Sequence, residues 1–177
     1  MQWNGHTLKD QPRLKVFETH ALAGGLTDFL YTGMDLERGA WRFYSAVLAQ
    51  HTEAAFAGPI DLLARAEEGH ARLLYRFWAA EQVDPPPFAE VYGNMAGDIV
   101  EGGQDLSSML DALFRLADDP CLDIIEMAIG IECAAYDLYR SMAHRFTGTP
   151  MERPFLAIAQ AEKEHMRIAS EALQYCE

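Results

Sequence analysis

Apolar positions in this chain recur at alternating intervals of three and four, the signature of one buried face on an α-helix. The first such stripe lies between about residues 25 and 52 and runs through Phe29 or Leu30, Gly33 or Met34, Glu37, Trp41, Tyr44 and Leu48. Gly58-Pro59 interrupts it, and Pro59 suits the first turn of a second helix that lines up Leu63, Glu67, His70, Leu74 and Phe77. Asp84-Pro85-Pro86-Pro87 closes that helix, because a proline run cannot continue the helical hydrogen-bond ladder. Residues 84–118 are the longest connection, with a flexible point at Glu101-Gly102-Gly103 and a short predicted helix over 107–116 begun by its serine. Asp119 and Pro120 read as the N-cap and first turn of a third long helix, striped by Ile125, Ile129, Glu132, Tyr136, Tyr139 and Met142. Gly148-Thr149-Pro150 and Pro154 turn the chain into a fourth, carried by Phe155, Ile158, Glu162, His165 and Ala169 or Ala172.

Short turns within the first and second helix pairs make each pair antiparallel, and the long middle segment joins the pairs. The expected fold is all-α: a four-helix bundle of ferritin-like connectivity, two antiparallel pairs joined by a long crossover containing a short helix. Residues 1–22 have no sustained period and read as an N-terminal arm or linker, which leaves 23–177 for the bundle.

The stripes carry acids where apolar residues belong. Glu67 and Glu162 are each followed three residues on by a histidine, His70 and His165, a spacing that puts both side chains on one helical face about 60° apart. Glu37 and Glu132 lie 30 positions upstream of those glutamates, and each precedes a tyrosine, Tyr44 or Tyr139, by seven. One shift of 95 positions carries 37, 44, 67 and 70 onto 132, 139, 162 and 165, so the chain is a duplicated helix pair. An isolated carboxylate in a bundle core costs several kcal/mol unless it is paired, hydrogen-bonded or protonated. Arg38, Arg42, Lys163 and Arg167 point off the stripes by spacing, and two divalent cations would balance four carboxylates and two neutral imidazoles. A single Glu-x-x-His is more often a solvated face, and it is the shared offset and the core-facing phase that turn the reading to metal. Tyr44 and Tyr139 read either as large core residues or as hydroxyls that orient a ligand glutamate across the bundle, and their presence in both copies favours the second. His6, His20, His51 and His144 fall outside the duplicated frame and read as surface or terminal residues.

Glu37 with Tyr44, Glu67-x-x-His70, Glu132 with Tyr139 and Glu162-x-x-His165 resemble the rubrerythrin-type di-iron domain of the ferritin-like superfamily, over about residues 25–175. The resemblance implies two iron ions, with manganese or zinc able to use the same groups. It makes Glu67 and Glu162 the shared carboxylates, Glu37 and Glu132 the terminal ones, and His70 and His165 one nitrogen ligand for each metal. It also implies reaction with peroxide or dioxygen, of the peroxidase or ferroxidase kind, and a homodimer. Rubrerythrins proper carry a pair of CxxC motifs that delivers electrons, and this chain has no CxxC. Electrons are therefore expected from an external donor or from ferrous iron itself. The alternative is a non-catalytic iron-binding or metal-stapled module. Met1-Gln2-Trp3-Asn4-Gly5 resembles the closing turn of rhodanese-type sulfurtransferase domains, which would make such a module an accessory domain detached from a sulfurtransferase fusion.

Composition narrows the partners. With half of its 177 residues hydrophobic and prolines and glycines gathered at a few points, the chain suits one helical globule. A formal charge of −13 excludes a phosphate-binding surface and favours cations as guests, so no nucleic acid is expected. No apolar run is long enough for a bilayer, so no membrane partner is expected either. Cys121, Cys133 and Cys176 are odd in number and far apart, which predicts neither a disulfide framework nor a cysteine metal site; the expected location is a reducing cytoplasm.

Overall fold

The computed structural model describes residues 25–116 and 120–176. Four long helices carry the architecture: α1 Leu26–Gln50, α2 Ala57–Ala80, α5 Cys121–Arg145 and α6 Glu152–Ala172. Two short ones, α3 Phe88–Gly93 and α4 Leu106–Leu113, lie in the crossover, and a 3₁₀ turn, Leu173–Tyr175, follows α6. No strand forms among the described residues. The closest packing is within the pairs α1–α2 and α5–α6; α2 and α6 also pack together, whereas α1 and α5 stand further apart. This is the ferritin-like bundle, with antiparallel pairs and one crossover.

Helix ends follow local chemistry. The Asp28 carboxylate accepts from the Gly25 amide at 3.1 Å to open α1. Pro59 and Pro154 sit in the first turns of α2 and α6, where a missing N–H costs nothing. α4 is begun by Asp105 and not by the expected serine: its carboxylate accepts from the Ser108 amide at 2.9 Å, and the Ser107 hydroxyl donates to the same oxygen. α3 has no counterpart in the sequence reading, because a six-residue turn of helix directly after three prolines carries no measurable period. The expected Asp119 cap and the 1–22 arm, with His6 and His20, lie outside the described residues.

The buried stripes lie one residue, about 100° around the helix, from some of the expected positions. In α1 the interior takes Leu30, Gly33, Glu37, Ala40, Tyr44 and Val47, while Trp41 and Leu48 are only partly buried. Trp41 is drawn outward by Arg38, whose guanidinium stacks 4.3 Å from the indole centroid. In α5, likewise, Ala128 and Ala135 turn inward and Ile129, Tyr136 and Met142 lie at the edge. Small residues let the helices close up beside the larger Tyr44 and Tyr139, both fully buried.

The core is split in two. One apolar cluster contains Phe43, Val47, Ile60, Leu63, Ile124 and Ile125, and a second contains Leu30, Met34, Leu74, Phe155 and Ile158. At about 1.5–3 kcal/mol for each large side chain buried, these clusters hold the bundle closed above and below a polar layer. Beneath the first cluster, Cys121 at the start of α5 is disulfide-bonded to Cys176 after the 3₁₀ turn, with Cα atoms 5.2 Å apart. This corrects the expectation of no disulfide, and a cross-link of this kind is not what a reducing compartment favours. Spacing could not show it, because the two cysteines meet only when α6 runs back along α5. Cys133 is exposed, its sulfur 3.1 Å from that of Met166.

The cross-link closes a 55-residue separation, and Cys176→Ser is expected to lower the unfolding free energy by about 2–4 kcal/mol in urea titration. Denatured, unreduced protein should titrate one thiol per chain, that of Cys133; three reactive thiols would contradict the pairing.

Candidate metal centre

Between the two apolar clusters, all four long helices present a charged or polar side chain at one level. Glu37, Glu67, Glu132 and Glu162 are each no more than 2% exposed, and His70 is 8% exposed. Oxygens of Glu37, Glu67 and Glu162 and a nitrogen of His70 lie within 4.8 Å of one another, as do ligand atoms of His70, Glu162 and His165. Glu132 joins through His165, whose Nδ1 stands 3.2 Å from Glu132 Oε2. The structure thus brings together the six residues that the sequence singled out. His51 rests against Phe56 and His144 is exposed, both away from this layer.

Glu162 sits at the middle. Its Oε1 is 2.9 Å from His70 Nδ1 and its Oε2 is 2.9 Å from His165 Nδ1. His70 Nδ1 is also 3.4 Å from Glu37 Oε2 and 3.5 Å from Glu67 Oε2. The two imidazoles stack with centroids 5.3 Å apart on the α2–α6 side of the layer. On the α1–α5 side two tyrosines cross over: Tyr44 of α1 donates to Glu132 Oε1 of α5, and Tyr139 of α5 donates to Glu37 Oε1 of α1. Each phenol fixes one oxygen of a glutamate on the opposite helix pair and leaves the other oxygen turned inward.

The inward atoms are those without partners. Glu37 Oε2, Glu132 Oε2, Glu162 Oε1 and His70 Nδ1 are buried and make no hydrogen bond of good geometry, although several lie close to one another. Among the described residues the ion-pair partners of the four glutamates are histidines alone. Arg167 is held by Glu164 and Glu171, and Arg42 by Asp98, on outer faces. Unpaired buried oxygens and a nitrogen lone pair converging on one point fit a divalent cation, and the donor set, carboxylate with imidazole, fits iron, manganese or zinc.

Protonation in this layer tells the same story. Burial, followed by the Glu132 charge, pushes the Glu67 carboxyl well up. Burial raises Glu132 as well, and the His165 hydrogen bond only partly offsets it, leaving about 7. For Glu162 burial acts upward, but hydrogen bonds from His165 and His70 outweigh it and hold the carboxyl at about 2. Burial acts downward on His165, yet its bonds to Glu132 and Glu162 carry it up to about 9; His70 is likewise raised, above all by Glu37. Without metal, protons supply the positive charge that four carboxylates demand.

One residue near the layer was missed. Glu101 of the crossover is buried, 5% exposed, and no other described residue donates to either of its carboxylate oxygens. The sequence reading made Glu101-Gly102-Gly103 a flexible point. It is a tight turn, with the Gly103 amide donating to Val100 O at 2.7 Å and the Val100 amide to Gln104 O at 3.0 Å. The one signal available was an acid inside a stretch, Ile99-Val100-Glu101, that is otherwise apolar.

The rubrerythrin family model matches residues 123–177. That segment contains Glu132, Tyr139, Glu162 and His165, and shifted back by the 95-residue repeat it covers 28–82, where Glu37, Tyr44, Glu67 and His70 stand. No curated protein and no solved structure gives a significant match.

A pH dependence follows for the metal-free protein. Groups whose folded pKa is raised add stability that is complete below the unfolded value and lost as pH climbs through the folded one. For Glu132 that window runs from 4.5 to about 7, and for His165 from 6.5 to about 9. Glu162, lowered, contributes in the opposite sense, losing its share only as pH falls from 4.5 toward about 2. The melting temperature without metal should therefore fall as pH rises toward 9. The rise produced by Mn(II) should grow over the same interval, because ligands must shed protons to bind. Calorimetric scans at several pH values test this, and a metal effect that does not vary with pH would count against the assignment.

Proposed function

We propose that this rubrerythrin-type bundle holds two iron ions among Glu37, Glu67, His70, Glu132, Glu162 and His165, and acts on peroxide or dioxygen as a peroxidase- or ferroxidase-type oxidoreductase. The observation that carries the reading is Glu162, whose two oxygens each face a different histidine at 2.9 Å. A carboxylate with a nitrogen donor on either side is placed to be shared between two cations. In this reading Glu67 is the second shared carboxylate, and Glu37 and Glu132 each serve one metal.

Ferrous ions held by these six residues would supply the electrons that the side chains alone cannot provide. What the chain supplies is placement. The crossed tyrosines hold Glu37 and Glu132 in fixed orientations and keep a proton beside each. The apolar clusters at either end exclude water, so the charges act at close range in a medium of low polarity. The imidazole edge is the most exposed part of the layer and the natural entry for a small oxidant or a cation, which the net charge of −13 draws in. Repeated turnover on peroxide requires an external electron donor; ferrous iron as substrate brings its own.

A second reading is favoured by the raised protonation of the metal-free layer: a bound metal pair would relieve that layer and staple the bundle without turnover. Protein loaded anaerobically with Fe(II) and then given peroxide separates the two. The catalytic reading expects ferric absorption in the near ultraviolet, lost in Glu162→Ala, together with consumption of peroxide when a reductant is present. Metal uptake and a higher melting temperature, with peroxide left unconsumed, would establish the staple.

A further inference from the structure

The crossover passes over the polar layer in the seam between α1 and α5, the two long helices that stand apart. Its path there is fixed closely. The Gly97 amide donates to Asp35 Oδ1 at 2.9 Å, and Arg42 donates to Gly97 O and to Asp98 Oδ1, each at 3.0 Å. Gly97 has φ +54°, and Gly39 faces the chain so closely that a Cβ there would lie 2.1 Å from Ile99 O. By Gly102 the chain has reached α5, where an added Cβ would lie 3.4 Å from Ala134 Cβ. Gly39 follows Glu37 by two residues and Ala134 follows Glu132 by two. Residues 97–102 therefore cross the seam at the level of the carboxylates, with Glu101 in the last step.

Glu101 is nine-tenths buried or more, and among the described residues neither of its oxygens has a hydrogen-bond partner. Burial, and then the charges of Glu37, Glu162 and Glu132 on three different helices, push its carboxyl well up, as close neighbourhood to the layer requires. A carboxylate buried without a partner is costly, and three hydrogen bonds and the close approach at Gly39 fasten the crossover that carries this one. The two histidines lie on the α2–α6 side; Glu101 lies on the opposite one.

We propose that Glu101 is a further metal ligand, delivered by the crossover to the face of the metal pair opposite the imidazoles. It would then occupy coordination positions that an oxidant or another small anion must take to reach the metals from that side. The proposal rests on the di-metal reading above and adds one ligand that the duplicated motif does not contain.

Glu101→Gln keeps the side-chain shape and removes the charge; Glu101→Ala opens the position. Mn(II) titrated against a competing chelator should bind to wild type and both variants, at least about tenfold more weakly in the variants. In protein loaded with Co(II), the visible bands should change in both variants, and azide should bind Glu101→Ala more tightly than wild type. Without metal, Glu101→Gln should melt at or above the wild-type temperature, since a structural role alone would lower it. If wild type binds metal and the variants match it in affinity, Co(II) spectrum and azide binding, Glu101 is not a ligand and the six-residue site stands. If wild type binds no metal, the di-metal reading falls, and this one with it.

Discussion

Four carboxylates confined in one layer of a helical core repel one another, and most of what surrounds them is organised by that repulsion. Glu37 Oε2, Glu132 Oε2 and Glu162 Oε1 lack hydrogen bonds of good geometry, and among the described residues the ion-pairing groups within reach are two imidazoles that burial itself would rather keep neutral. The cost is carried by the apolar clusters on either side, which also deny the layer the water that would screen it. Such a concentration of acids at the centre is suited to cations: protons relieve it when no metal is present, and a divalent ion would relieve it further.

The layer was legible in the sequence because it is repeated. A glutamate on an apolar stripe is ambiguous once and hard to dismiss twice at the same offset, and the tyrosines followed from the same register. The four long helices were legible for a related reason: glycine and proline fall between the stripes and not within them. Less was readable of the stripe's inner edge. Trp41 and Ile129 are better hydrophobes than Ala40 and Ala128, yet the alanines face inward, since helix spacing beside Tyr44 and Tyr139 rewards the smaller residue.

What escaped the sequence lies where chain neighbours do not determine spatial neighbours. Cys121 and Cys176 are joined by the return of α6 along α5 and by nothing in their spacing. Glu101 was hidden for the same cause. It has no partner at an offset of 95, it sits beside two glycines that suggest mobility, and only the close approach of Ile99 to Gly39 shows the segment to be fastened.

The crossed tyrosines carry a consequence for how such a chain could arise. Tyr44 serves Glu132 and Tyr139 serves Glu37, so neither helical hairpin satisfies its own acid; each completes the other. Two identical hairpins meeting about a two-fold axis would exchange phenols in the same manner, and the single polypeptide keeps that pseudo-symmetry while tethering its halves. The tether is where the symmetry ends: Glu101 rides on it without a twin, so a covalent link between once-equivalent units has made one side of the centre chemically unlike anything a symmetric assembly could build.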